Sequence, residues 1–123
     1  DFDLFLLRAQ ENTKNGKYNK AIKLLEKALV KFPNYETITL FYNIGFNYYK
    51  LNNIEEAKKY LNRIITIFES DNLVEHQMQE NRKFLILSEI ILEKIEEDKK
   101  NKKDPYRIKE DISKMKKIKP KEK

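Results

Sequence analysis

Catalysis needs a nucleophile, an acid–base group and a pocket to hold both, and few residues of this 123-residue chain qualify. His76 is the sole histidine, and it stands among Glu75, Gln77 and Gln79, a polar setting that reads as solvated surface. Ser70, Ser88 and Ser113 lack the Gly-x-Ser-x-Gly context that presents a serine for attack. Glu55-Glu56 and Glu96-Glu97-Asp98 fall at helix ends, where acidic runs complement a dipole or stay solvated rather than share a proton. Two glycines are too few for a phosphate-cradling loop. The absence of cysteine excludes disulfides and thiolate metal sites, and a lone histidine excludes a His-based one. The chain is read as a non-enzyme with no cofactor, no metal and no small-molecule substrate.

Two features carry binding chemistry instead. Tyr42, Phe46 and Tyr49 recur at i, i+4 and i+7, which puts three large rigid rings on one helical face. Such a stripe either holds a partner or fills a core, and the spacing leaves both open. The second feature is charge. The net charge is +6, but residues 1–98 hold 14 Lys/Arg against 16 Asp/Glu, whereas residues 99–123 hold 12 against 4. The tail therefore carries +8 and suits phosphate, anionic lipid or an acidic partner, or serves only to solubilise the end of the chain. Lys, Asn and Ile are all abundant, a bias of AT-rich coding that accounts for part of the lysine excess.

The elements that must position these residues are helices. Two Gly and three Pro are too few for the turns of a β-sandwich or barrel. No apolar run approaches the roughly 18–20 residues that span a bilayer. Internal similarity is plain at a spacing of 36: Gly16-Lys17-Tyr18-Asn19-Lys20-Ala21 aligns with Asn52-Asn53-Ile54-Glu55-Glu56-Ala57. Each segment reads as a turn, a hydrophobe, two polar residues and Ala. Amphipathic stretches follow, with Ile22, Leu25, Ala28, Leu29 and Phe32 in the first and Leu61, Ile64, Ile65 and Phe68 in the second. Helices over 2–13 and 37–51 precede the turns, and Pro33 ends the second helix. Asp71 is placed to cap a long helix over 72–100. Asp104-Pro105 then opens a short helix with Ile108, Ile112 and Met115 on one side and Lys109, Lys114, Lys116 and Lys117 beside them. This last helix is expected to fold back or to dock a partner.

These residues resemble the tetratricopeptide repeat (TPR) family, whose pattern includes W-x2-L-G-x2-Y in the first helix, Ala in the second and a closing Pro. Phe41-x2-Ile44-Gly45-x2-Tyr48 with Ala57 and Leu61 matches it, with Phe for Trp. Tyr18, Ala21, Leu25, Ala28 and Pro33 match its second half, while Arg8 and Asn12 stand at apolar positions of an end repeat. Phe84-x2-Leu87-Ser88-x2-Ile91 imitates the first-helix pattern once more. The resemblance implies an all-α stack of antiparallel helix pairs: repeats over about 2–35 and 38–71, a capping helix over about 72–100, and a basic C-terminal helix and tail over 101–123. It implies close packing of two helices at Gly45 and Ala57.

It also implies a concave groove lined by the first helix of each pair. By register that face carries Leu6, Gln10, Thr13 and Lys14, then Thr39, Tyr42, Asn43, Phe46, Tyr49 and Lys50. The expected partner is a helix or extended segment of another protein; an anionic partner for the tail is the alternative, acting as nucleic acid or membrane. The 36-residue spacing and the phrase Lys31-Phe32-Pro33-Asn34 are similar to bacterial envelope TPR proteins such as the outer-membrane assembly lipoprotein BamD and the periplasmic coordinator YbgF. That likeness implies an envelope scaffold, periplasmic or lipid-anchored, and leaves open whether a leader or lipid anchor preceded Asp1.

Overall fold

The computed structural model describes residues 1–103, so the helix expected after Asp104 lies outside the described residues. Asp1 opens α1 (Phe2–Lys14) by accepting the Asp3 amide on its carboxylate at 2.9 Å. α1 ends in a turn with two reversed bonds: Gly16 N–H donates to the Thr13 carbonyl at 3.1 Å and Lys17 N–H to that of Asn12 at 2.8 Å. Gly16 takes φ +76°, the left-handed conformation this turn demands. The same turn closes α3 (Thr37–Lys50): Asn52 N–H donates to Tyr49 at 3.0 Å and Asn53 N–H to Tyr48 at 2.9 Å, with Asn52 at φ 62°. The 36-residue repeat is thus repeated in hydrogen bonding, with Asn standing where the first copy has Gly.

α2 (Tyr18–Lys31) stops just before Phe32-Pro33, as expected. The link to α3 places both Asn34 (φ 62°) and Glu36 (φ 49°) in the left-handed region. α4 (Ile54–Glu69) follows, with Glu55 and Glu56 in its first turn, where carboxylates favour the positive end of the helix. α5 (Glu75–Lys103) is the longest helix. It does not begin at Asp71. Residues 71–74 form a turn, and the Val74 N–H donates to Gln77 Oε1 at 3.2 Å, the reach-back half of a capping box. Among the described residues there is no strand. The chain divides after Ile90, and α5 up to Ile90 belongs to the compact unit Asp1–Ile90.

Within the first unit, α1 pairs with α2, α3 with α4, and α2 with α3. Ala9, Ala21, Leu25, Ala28, Leu40 and Ile44 join in one buried cluster closed by Phe2. Burying each large aliphatic side chain contributes about 1.5–3 kcal/mol, so Leu25, Leu40 and Ile44 are principal terms. The Ala residues allow the helix axes to approach. At Gly45 the approach is closer: a β-carbon there would stand 2.8 Å from Leu61 Cδ2, with the Ala57 carbonyl 3.5 Å away. Outside this contact, Tyr48 stacks on Tyr60 with centroids 6.0 Å apart, and the Arg63 guanidinium lies 5.2 Å from the Tyr60 ring centre. The third copy of the first-helix pattern does not act as the second does. Ile44 is fully buried, but Leu87, its counterpart by pattern, is 40% exposed.

Candidate functional site

The face expected to line a groove is carried by α1 and α3, each the first member of a helix pair. A polar link joins them. The Thr13 hydroxyl donates to Asn47 Oδ1 at 2.8 Å, with the Ala9 carbonyl 3.0 Å away, and Asn47 Nδ2 donates to the Asn43 carbonyl at 2.7 Å. Asn47 is completely buried, so an unmet amide there would cost about 1–3 kcal/mol. Thr13, expected to face a ligand, is therefore engaged in holding the two helices in register.

The three stripe aromatics are all half-buried. Tyr42 stacks on Phe46 (centroids 6.1 Å) and meets Phe84 of α5 on another side at 5.3 Å. Burial pushes the Tyr42 phenol above its ordinary range, since removal from water disfavours the phenolate. Lys50 Nζ sits 5.5 Å from the Phe46 ring centre, a cation–π distance, and Lys50 is itself exposed. Asn43 turns its amide back to donate to the Thr39 carbonyl at 2.8 Å, leaving its carbonyl oxygen as the group to offer. Gln10 and Lys14 are exposed on α1. The face thus runs from rings in its middle to two exposed ammonium groups, Lys14 and Lys50, at the C-terminal ends of the helices.

Toward the N-terminal ends of α1 and α3 lies a cavity of about 360 Å³. Phe2, Asp3, Leu6 and Gln10 line it from α1, Glu36 and Thr39 from the start of α3, and Glu80, Lys83 and Phe84 from α5. Thr39 is buried in its floor and its hydroxyl donates to Glu36 Oε2 at 3.3 Å. The α5 residues are set at this cavity by tertiary packing that no sequence spacing marks. Phe84 read as the opening residue of a repeat pattern, yet it faces Tyr42. The signal was present in its neighbours, since Glu80, Asn81 and Lys83 surround one aromatic with polar groups, a composition suited to a rim.

His76 Nε2 lies 3.2 Å from Glu80 Oε1, one turn along the exposed side of α5. Ser88 is buried with its hydroxyl unpaired. Ser70 donates to the Ile67 carbonyl at 2.6 Å. No two of these groups are brought together as nucleophile and base. No cluster of His, Cys, Asp and Glu among the described residues could hold a metal ion. No helix among them is long and apolar enough to cross a membrane.

A family model for the tetratricopeptide repeat matches residues 6–70, more than half of the chain. No curated protein and no solved structure matches it.

Proposed function

The chain belongs to the tetratricopeptide repeat family, whose repeats mediate protein–protein interaction, and from that premise we propose a non-catalytic adaptor that grips a partner segment in the groove of α1 and α3. The contact residues are Gln10 and Lys14 of α1 with Tyr42, Asn43, Phe46, Tyr49 and Lys50 of α3. One observation carries the reading: the stripe rings are half-buried rather than sealed, so rigid apolar surface is already ordered and still open to a ligand. Rings held in this way lose little entropy on binding. The envelope setting belongs to the same proposal and is supported by the repeat spacing and the Lys31-Phe32-Pro33-Asn34 phrase alone.

The test is retention of displayed random peptides by the folded chain, repeated with Phe46→Ala/Tyr49→Ala. Peptides held by the native chain should lose at least about 2 kcal/mol of affinity in the double variant, the scale of hot-spot truncation. Equal retention by both proteins would refute the groove.

A second reading, nucleic-acid or anionic-membrane binding through residues 99–123, is favoured by the +8 charge of that segment. Salt dependence separates the two, because phosphate binding weakens by orders of magnitude over a few-fold rise in salt.

A further inference from the structure

We propose that the cavity at the N-terminal end of the groove receives a lysine or arginine side chain, so that the partner segment is a basic one and enters in a fixed direction. This rests on the reading of the groove as the binding face and specifies what that face selects.

Charge makes the first argument. Asp3, Glu36 and Glu80 line the cavity against a single ammonium, Lys83. An acidic ligand would meet three carboxylates. A neutral apolar one would desolvate them without return, which is unfavourable for charged groups. A cationic side chain gains from all three, and the Thr39 hydroxyl already orients Glu36 by donating to it at 3.3 Å.

Shape and ring chemistry make the second. A volume of about 360 Å³ admits one long side chain. Phe2 and Leu6 offer apolar wall for the methylene stem, and the Phe84 ring offers a π-face for the head. The chain itself shows that this ring accepts a cation: Lys83 Nζ lies 5.1 Å from its centre. In the free protein Lys83 holds the place that the partner's cation takes on binding.

The opposite end of the face carries Lys14 and Lys50 and repels the same cation. A basic residue is therefore bound at one end only, and the segment's direction follows.

The experiment selects random displayed peptides on the full chain and, in parallel, on Glu36→Gln/Glu80→Gln. Both carboxylates are exposed, so the variant keeps its fold, and a thermal melt by circular dichroism verifies it. Peptides selected on the native chain should be enriched in Lys and Arg, and the enrichment should vanish on the variant. One such peptide, synthesised, should bind the variant about three- to tenfold more weakly, the effect of losing two solvent-facing charge contacts. Lys83→Met removes the competing ammonium and should strengthen the same peptide. Selected peptides that shift groove amides but show no basic enrichment, or that bind both proteins alike, overturn this inference and leave the groove standing. Peptides that shift no amide of α1 or α3 overturn the groove itself.

Discussion

Gly45 and Leu61 are in contact at a distance that no side chain on Gly45 would permit: a β-carbon at that position would lie 2.8 Å from Leu61 Cδ2 and 2.9 Å from Cγ. The nearest atoms are the end of the fully buried Leu61 side chain, which must shift to admit a methyl. Overpacking costs typically about 1–3 kcal/mol, and an added alanine methyl recovers roughly 1 kcal/mol of helix propensity. Gly45→Ala should therefore be mildly destabilising and Gly45→Leu severely so. Combining Gly45→Ala with Leu61→Ala should cost less than the sum of the two, read by urea unfolding. Unchanged stability in Gly45→Leu would contradict the packing.

The Thr13–Asn47 link makes a second prediction. Thr13→Val leaves the buried Asn47 Oδ1 without its donor and should cost about 1–3 kcal/mol. Adding Asn47→Leu replaces both partners by apolar groups and should recover much of the loss, because the desolvation penalty disappears with the amide. A purely additive double-mutant cycle would show that the two side chains are not coupled.

The paired turns offer an internal control. Nothing lies within 4 Å of a β-carbon built on Gly16, so Gly16→Ala meets only the conformational penalty of φ +76°. That penalty is about 1–2 kcal/mol. Asn52→Gly, at φ 62° in the equivalent turn, should be neutral or slightly stabilising. Opposite signs in thermal melts would match this account, and destabilisation by both would not.

Alkaline stability follows from the tyrosines. Burial raises Tyr42, and burial followed by nearby Glu26 raises Tyr48 and Tyr60, the Arg63 charge opposing at Tyr60. A raised folded-state value means that the unfolded chain releases these protons first. Their stabilising contribution is whole below the ordinary phenol value of 10.0 and is lost as pH climbs through the folded values. Absorbance titration of tyrosinate should show a late fraction above pH 10, about the ordinary phenol value. Tyr42→Phe should reduce that fraction and soften the alkaline loss of stability. A single unshifted transition would count against the burial.

Much of the fold was legible because the chain repeats itself. Gly16 and Asn52 announce identical turns, and Phe41, Ile44, Gly45 and Tyr48 with Ala57 spell out one helix packing on another. Less of the site could be read. Thr13 and Asn47 are 34 residues apart, and a polar residue at a fully buried position follows from no periodicity. Phe84 fits the repeat pattern as well as Phe41 does, and only the neighbouring helices determine that it turns toward Tyr42. Asp71 is a good capping residue, but Gln77 reaches back to Val74 and sets the start of α5 later.

The central claim is that α1 and α3 form the binding face, and amide chemical-shift mapping tests it most directly. A peptide selected on the native chain is titrated into isotopically labelled protein. The account predicts shifts at Gln10 and Lys14 of α1 and along Tyr42 to Lys50 of α3, with α2 and the outer side of α4 unmoved. Shifts confined to residues 99–123, or to the outward sides of α2 and α4, would contradict it.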